Sequence, residues 1–170
     1  QPIFENSVEH TGLPLIIGLL LYTVEIYSDF SGYTDIALGS AKLFGIQLTQ
    51  NFMQPFYASS LTEFWKRWHI SLSTWVNNYI FTPLSMWISI SFRLKKWGII
   101  FSVFFSFLLL GIWHGSDFTF AMFGTIQGLI LGYEILTIKF RKKLSATIPK
   151  IIYKPISILL TLLVFAFSCI

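Results

Sequence analysis

Two histidines and the polar residues around them carry the chemistry that this sequence permits. His114 stands in Trp113-His114-Gly115, at the end of an almost unbroken apolar run over residues 97–113. An imidazole titrates near neutrality and can take up and return a proton, which is the work of a general base. A dry setting would favour the neutral ring that a base needs. Asp117 could orient that ring or simply cap the next helix, and Gly111 and Gly115 would leave room for a substrate. The other reading of His114 is a structural ring hydrogen-bonded to a carbonyl, and the residues alone leave both open. His69 lies in FWKRWHISLS, residues 64–73, and by itself reads as an interfacial anchor. Beside it, Lys66 and Arg67 could grip the phosphates of a ligand or lipid headgroups. Asn51 could donate to a developing negative charge. Asp29 and Asp35 sit in a polar, small-residue stretch and should face protein or water, because acids are costly against lipid. Hydrogen bonding is their default role and substrate contact the alternative.

Other sites are excluded. The third histidine, His10, reads as exposed and without a role, and the three are too scattered for a metal centre. The single cysteine, Cys169, allows no internal disulfide. A nucleophile elbow, a phosphate-binding P-loop and a paired-histidine zinc helix are all absent.

Composition names the medium in which these residues work. Hydrophobic residues make up 54% and charged residues 12%, about half the charge of an ordinary soluble domain. Mean hydropathy is +0.67. A soluble core of this size cannot hide so much apolar surface, so the chain is an all-α integral membrane protein. Its net charge of +4 comes from short basic clusters beside apolar runs. That is a topology signal and not a nucleic-acid footprint.

The elements follow in order. Residues 1–12 are polar and loop-like. Residues 13–27 form a first apolar run with Pro14 in its first turn, which spans if residues 28–33 continue the helix or else stops at the interface; residues 27–45 are mixed polar and small, with Gly32, Gly39, Ser40 and Ala41 allowing close helix packing. Gly45 is its expected C-terminal cap and Lys42 complements its dipole. Residues 47–59 connect to a capping box, Ser60 to Glu63, which opens a central helix expected to run to about Tyr79 and to end before Pro83. On that helix Leu61, Trp65, Trp68, Leu72 and Trp75 share one face, with Lys66, His69 and Ser73 alongside. Such a helix suits the boundary between hydrocarbon and headgroups. Residues 83–92 read as a short interfacial segment.

Residues 97–138 read as a helical hairpin with His114 in its turn. Basic loops flank it, at Arg93, Lys95 and Lys96 and again from Lys139 to Lys154, and the positive-inside bias makes both cytoplasmic. Gln127 and Glu134 share a face and expect polar partners. The apolar run from Ile156 should continue past Ile170, since a crossing needs about 20 residues. The chain therefore reads as one membrane-embedded domain, incomplete at both ends, from the interior of a longer multi-pass protein.

Four segments in this order, YSDFSGYTDIALGSAKLFGI, NFMQPFYASSLTEFWKRWHISLSTW, YIFTPL and GIWHG, closely resemble the membrane-bound O-acyltransferase family, most of all its bacterial alginate O-acetyltransferase branch. The resemblance implies a multi-helix membrane fold with interfacial and re-entrant helices around a funnel. It implies transfer of an acetyl group from a cytoplasmic thioester such as acetyl-CoA, as substrate, toward an extracytoplasmic polysaccharide or a partner acetyltransferase. It places the bacterial inner membrane as the location. By the family's motifs His114 is the catalytic histidine and His69 the second functional one. One departure stands out: relatives carry an Arg-Asp pair where this chain has Asn77 and Asn78. D-alanyl transfer to teichoic acid is the nearest alternative. A transporter lined by Glu25, Asp29, Asp35, His114 and Glu134, or a scaffold of a polysaccharide-export complex, are the non-enzymatic ones.

Overall fold

The computed structural model describes residues 12–93 and 95–169; the polar segment with His10 lies outside the described residues. Every regular element among those residues is helical. Four helices are long and apolar enough to cross a membrane: Leu13–Leu43, Lys95–His114, Phe118–Thr147 and Lys150–Ser168. The chain up to Gln50 and the chain from Asn51 to Ser168 pack as two separate units.

The first unit is essentially one helix, α1 (Leu13–Leu43), with Pro14 in its first turn. It ends as the sequence requires. Gly45 takes φ 73°, a conformation that a Cβ would disfavour, and its N–H bonds Lys42 O while the N–H of Ile46 reaches back to Ala41 O, both at 3.0 Å. This pair of bonds satisfies carbonyls that would otherwise be orphaned. Leu19, Thr23 and Thr34 are buried, and Thr23 Oγ1 donates to Leu19 O at 2.9 Å. Asp29 and Asp35 are exposed and are not turned into a protein core among the described residues. A Cβ added at Gly32 or Gly39 would meet nothing within 4 Å, so the predicted close packing there is absent too.

The second unit is framed by a hairpin of α5 (Lys95–His114) and α6 (Phe118–Thr147), as predicted. Glycines set its spacing. A Cβ at Gly111 would lie 2.3 Å from the carbonyl oxygen of Phe120, and one at Gly124 2.3 Å from that of Phe107. Gly128 meets the backbone of Phe104, and Gly132 meets Ile100. Small residues four apart let two membrane helices touch backbone to backbone. Gly111 is thus closed by helix packing, and a Cβ at Gly115 would collide with the Phe120 ring at 2.6 Å, so neither opens a path for substrate as the sequence suggested. α6 also runs straight through the basic residues 139–143, where a loop was expected. A two-residue link then leads into α7 (Lys150–Ser168).

The central segment corrects the sequence reading most. Instead of one helix there are two, α2 (Leu61–Trp65) and α3 (Ile70–Val76), separated by a turn. Pro83 does not stop the chain either. After α3 the backbone opens into a wide turn over Asn77–Phe81 and re-forms as α4 (Thr82–Ser91). In unbroken α register the proline ring would strike the carbonyl four residues back. Here the N–H of Thr82 bonds Asn77 O, five residues back, and the widened turn accommodates the ring.

The tryptophans were expected at a headgroup boundary, and two of them form the core instead. Phe64, Trp65 and Trp68 are buried with Phe165 of α7. Phe64 and Phe165 lie 4.2 Å apart by centroid, and Trp68 stacks on Phe64 at 5.4 Å. Trp65 meets Phe107 of α5 edge-on at 5.0 Å. Its indole N–H donates to Gln127 Oε1 at 2.9 Å, and Gln127 Nε2 donates to Ser168 Oγ at 2.6 Å. Gln127 is fully buried, so this chain of bonds relieves a desolvation cost of about 1–3 kcal/mol per polar group. Burial wins over the interfacial preference of tryptophan because every polar atom of the indole is answered. Trp75 alone keeps the expected exposure.

Candidate active site

α2 is only five residues long, too short to persist alone, so outside groups must hold it. Its N-terminus is answered on all sides. Ser60 Oγ accepts from Glu63 N at 3.1 Å, the first half of the predicted capping box. The second half goes one residue further back: Glu63 Oε2 accepts from the N–H and hydroxyl of Ser59, each at 2.8 Å. Glu134 of α6 accepts from the N–H groups of Leu61 and Thr62 at 2.9 Å and from Thr62 Oγ1 at 2.6 Å, and pairs with Arg141 at 2.8 Å. Glu134 and Gln127 therefore find the polar partners their shared face called for. They hold the two ends of α2 seven residues apart along α6, about 10 Å, so α2 descends α6 toward the hairpin tip.

The turn after α2 carries His69 in that direction. His69 adopts φ 44° and ψ 56°, the left-handed region that few residues other than glycine enter. The backbone on either side is clamped to residues 51–53. Met53 N donates to Arg67 O and Ile70 N to Asn51 O, both at 3.0 Å. Asn51 Oδ1 then accepts from the N–H of Ser71 at 3.0 Å and its hydroxyl at 2.7 Å, capping α3 from twenty residues upstream. Asn51 was expected as a donor to negative charge; its side-chain oxygen braces the His69 turn. Nothing in the local sequence pairs Ser71 with Asn51, and only the fold reveals it.

His114 is the last residue of α5, exposed at the hairpin tip, not in the dry position predicted. His114 Nδ1 lies 2.6 Å from Leu110 O. A carbonyl only accepts, so Nδ1 carries the hydrogen and Nε2 keeps the lone pair. The ring is steadied edge-on by Trp113 and lies roughly parallel to Phe120. Asp117 does not orient it; that carboxylate accepts from Thr119 N and caps α6.

The two imidazoles are close enough to sense each other. Burial holds the His69 pKa below its ordinary value, and repulsion from the charge on His114 lowers it further. The half-buried ring at position 69 is thus biased toward neutrality.

A cavity of about 490 Å³ opens beside the turn, between Lys66, Ile70 and Asn77 on one side and Ser106, Leu110 and Leu131 on the other. That is the size range of small-molecule sites. Neither imidazole lines it, although its wall includes the residue after His69 and the residue whose carbonyl holds His114. Lys66 is exposed on its rim. Arg67 is engaged elsewhere, 2.7 Å from Glu63 and 3.4 Å from Met53 O. Asn77 donates to Asn78 at 3.1 Å within the widened turn. Asp29 and Asp35 belong to the first unit. No group of three metal-ligating side chains occurs among the described residues.

Four helices of membrane-crossing length and character, with a clamped turn packed against two of them, define an integral membrane protein that presents two histidines within electrostatic reach of each other. The chain belongs to the membrane-bound O-acyltransferase family, whose model matches residues 5–170. It is 41% identical over 118 residues, 69% of its length, to the probable alginate O-acetylase AlgI of Pseudomonas aeruginosa, of which that covers 22%. It is 35% identical over 133 residues to the peptidoglycan O-acetyltransferase of Helicobacter pylori, 78% of this chain and 24% of that protein. Over 134 residues it is 31% identical to the teichoic acid D-alanyltransferase of Bacillus subtilis, 75% of this chain and 34% of that protein. The chain thus spans about a quarter to a third of the curated relatives it matches.

Proposed function

We propose that the intact protein is an O-acyltransferase of the bacterial inner membrane that moves an acetyl group from a cytoplasmic thioester, such as acetyl-CoA, to hydroxyls of an extracytoplasmic polysaccharide such as alginate, directly or through a partner acetyltransferase. One observation carries the reading: His114 Nδ1 is fixed on Leu110 O, leaving Nε2 as a base, and His69 lies within electrostatic reach of it.

In this mechanism His114 Nε2 takes the hydrogen of an acceptor hydroxyl as its oxygen attacks the thioester carbonyl. The tetrahedral intermediate collapses, the C–S bond breaks, and the thiolate leaves with the proton held by His114. His69, clamped and neutral, donates a hydrogen bond to the oxyanion. Lys66 is the better placed of the two cations to meet donor phosphates, since Arg67 is tied to Glu63. A polar transport path through Glu134 is disfavoured, because its carboxylate is engaged by α2 and Arg141. Acetyl transfer ranks above D-alanyl transfer because identity to the alginate O-acetylase is higher, 41% against 31%.

The test is His114→Ala in the intact protein with O-acetylation of exported polymer as readout. Loss of a general base is expected to lower the rate about 10²–10⁴-fold. Unchanged acetylation at normal protein levels would remove His114 from the mechanism.

A further inference from the structure

The end of the hairpin opposite His114 carries a feature that acyl transfer does not use. An apolar groove of about 660 Å³ runs along α4, α5 and α6, between Trp87, Phe92, Trp97 and Leu136 at one end and Phe104 and Gly128 at the other. Because Gly128 meets Phe104 and Gly132 meets Ile100, four residues along one helix match four back along the other, and Leu136 comes level with Lys96. The walls then turn basic at the same height. Lys96, Ile100 and Phe104 repeat at helical spacing on α5; Gly128, Gly132, Leu136, Lys139 and Lys143 do so on α6.

Arg93, Lys95, Lys96, Lys139, Lys142 and Lys143 are exposed, and none makes an ion pair among the described residues. The second unit's three carboxylates are committed elsewhere: Glu63 to Arg67, Glu134 to Arg141, and Asp117 to the far tip of the hairpin. Six uncompensated cations at one end of an apolar groove call for a ligand with an anionic head and a hydrocarbon tail. From Gly128 to Lys139 is about 16 Å of helix, enough to lie along most of an acyl chain.

We infer that this groove holds one acyl chain of an anionic phospholipid, with its headgroup phosphate between Lys96, Lys139 and Lys143. The inference stands independently of the acyl-transfer reading. The intact protein in phosphatidylcholine nanodiscs is titrated with chain-brominated phosphatidylglycerol or, separately, chain-brominated phosphatidylcholine, and tryptophan quenching is read. The Trp87→Phe/Trp97→Phe variant isolates the groove's share of the signal. That share is expected to be quenched at a several-fold lower mole fraction of the glycerol lipid, and Lys96→Gln/Lys139→Gln/Lys143→Gln to bring the two curves together. Should the triple variant fold poorly, Lys143→Gln alone is expected to narrow the difference at least twofold. Equal curves for the two lipids overturn the inference, as does a preference that the charge variants retain. Absence of quenching by either lipid, as when another protein segment fills the groove, overturns it too.

Discussion

The left-handed backbone at His69 is costly for a branched ring to occupy, roughly 1–3 kcal/mol, so its clamp should be measurable. Asn51 supplies the acceptor that caps α3 immediately after that residue. Asn51→Asp keeps an oxygen in place and adds a charge that a helix N-terminus favours; Asn51→Ala leaves the Ser71 N–H without it. The alanine variant is expected to lose about 0.5–2 kcal/mol and most acetylation activity, and the aspartate variant to recover both, as read by thermal unfolding in detergent and turnover. Equal activity in the two variants would show that Asn51 does not position His69. The ring itself makes a pH prediction. Its folded pKa lies below the ordinary 6.5, through burial first and His114 second, so below that value the unfolded chain binds more protons than the folded one. Its contribution to stability is complete above about 6.5 and is lost as pH falls toward the folded value. His69→Gln should therefore flatten the decline of Tm between about pH 7 and pH 5; an unaltered acid slope would refute this.

At the scale of elements, the hairpin predicts a graded response to adding one methyl group. A Cβ at Gly111 or Gly124 would meet backbone at 2.3 Å, whereas at Gly132 it meets only the γ-methyl of Ile100, at 3.2 Å. Gly111→Ala and Gly124→Ala are expected to cost about 1–3 kcal/mol by overpacking, and Gly132→Ala much less, measured as Tm in detergent; equal shifts at all three would refute the backbone contact. The long elements were legible because their signals are local. An apolar run of membrane length, a glycine after Lys42 and a serine three residues before a glutamate are each read within one turn. The break at residues 66–69 was not, because the segment keeps an unbroken helical pattern and the interruption is held by hydrogen bonds from residues 51 and 53. Pro83 misled for a related reason: a stop signal is absorbed when the preceding turn widens. The two histidines were legible as types and motifs, and the bond of His114 to Leu110 O is a local i−4 contact that the carbonyl-bonded reading allowed; the brace at Asn51 depends on a partner twenty residues away that sequence spacing does not bring together.

At the scale of the whole second unit, the hairpin couples membrane orientation to the site. Lys96 and Leu136 are level, so the basic start of α5 and the basic stretch of α6 share one end whichever way the unit is inserted. α5 is 20 residues long, about 30 Å, the thickness of the hydrocarbon core, which sends the turn after His114 to the opposite surface. By the positive-inside bias, six cations at one end predict that this end lies in the cytoplasm. α2 starts at that end, at Glu134, and runs toward the tip; under the proposed function the two imidazoles would then lie toward the side of the exported hydroxyl, with exposed Lys66 open to a donor from within. In a Cys169→Ser background, single cysteines at Lys95 and Lys142 are expected to react with a membrane-impermeant maleimide only in inverted vesicles. A cysteine at Ser116 should react only in intact cells with a permeabilised outer layer. Labelling of positions 95 and 142 from opposite sides would break the hairpin geometry itself; labelling of all three from one side would leave the hairpin but remove the route by which it carries an acyl group across the membrane.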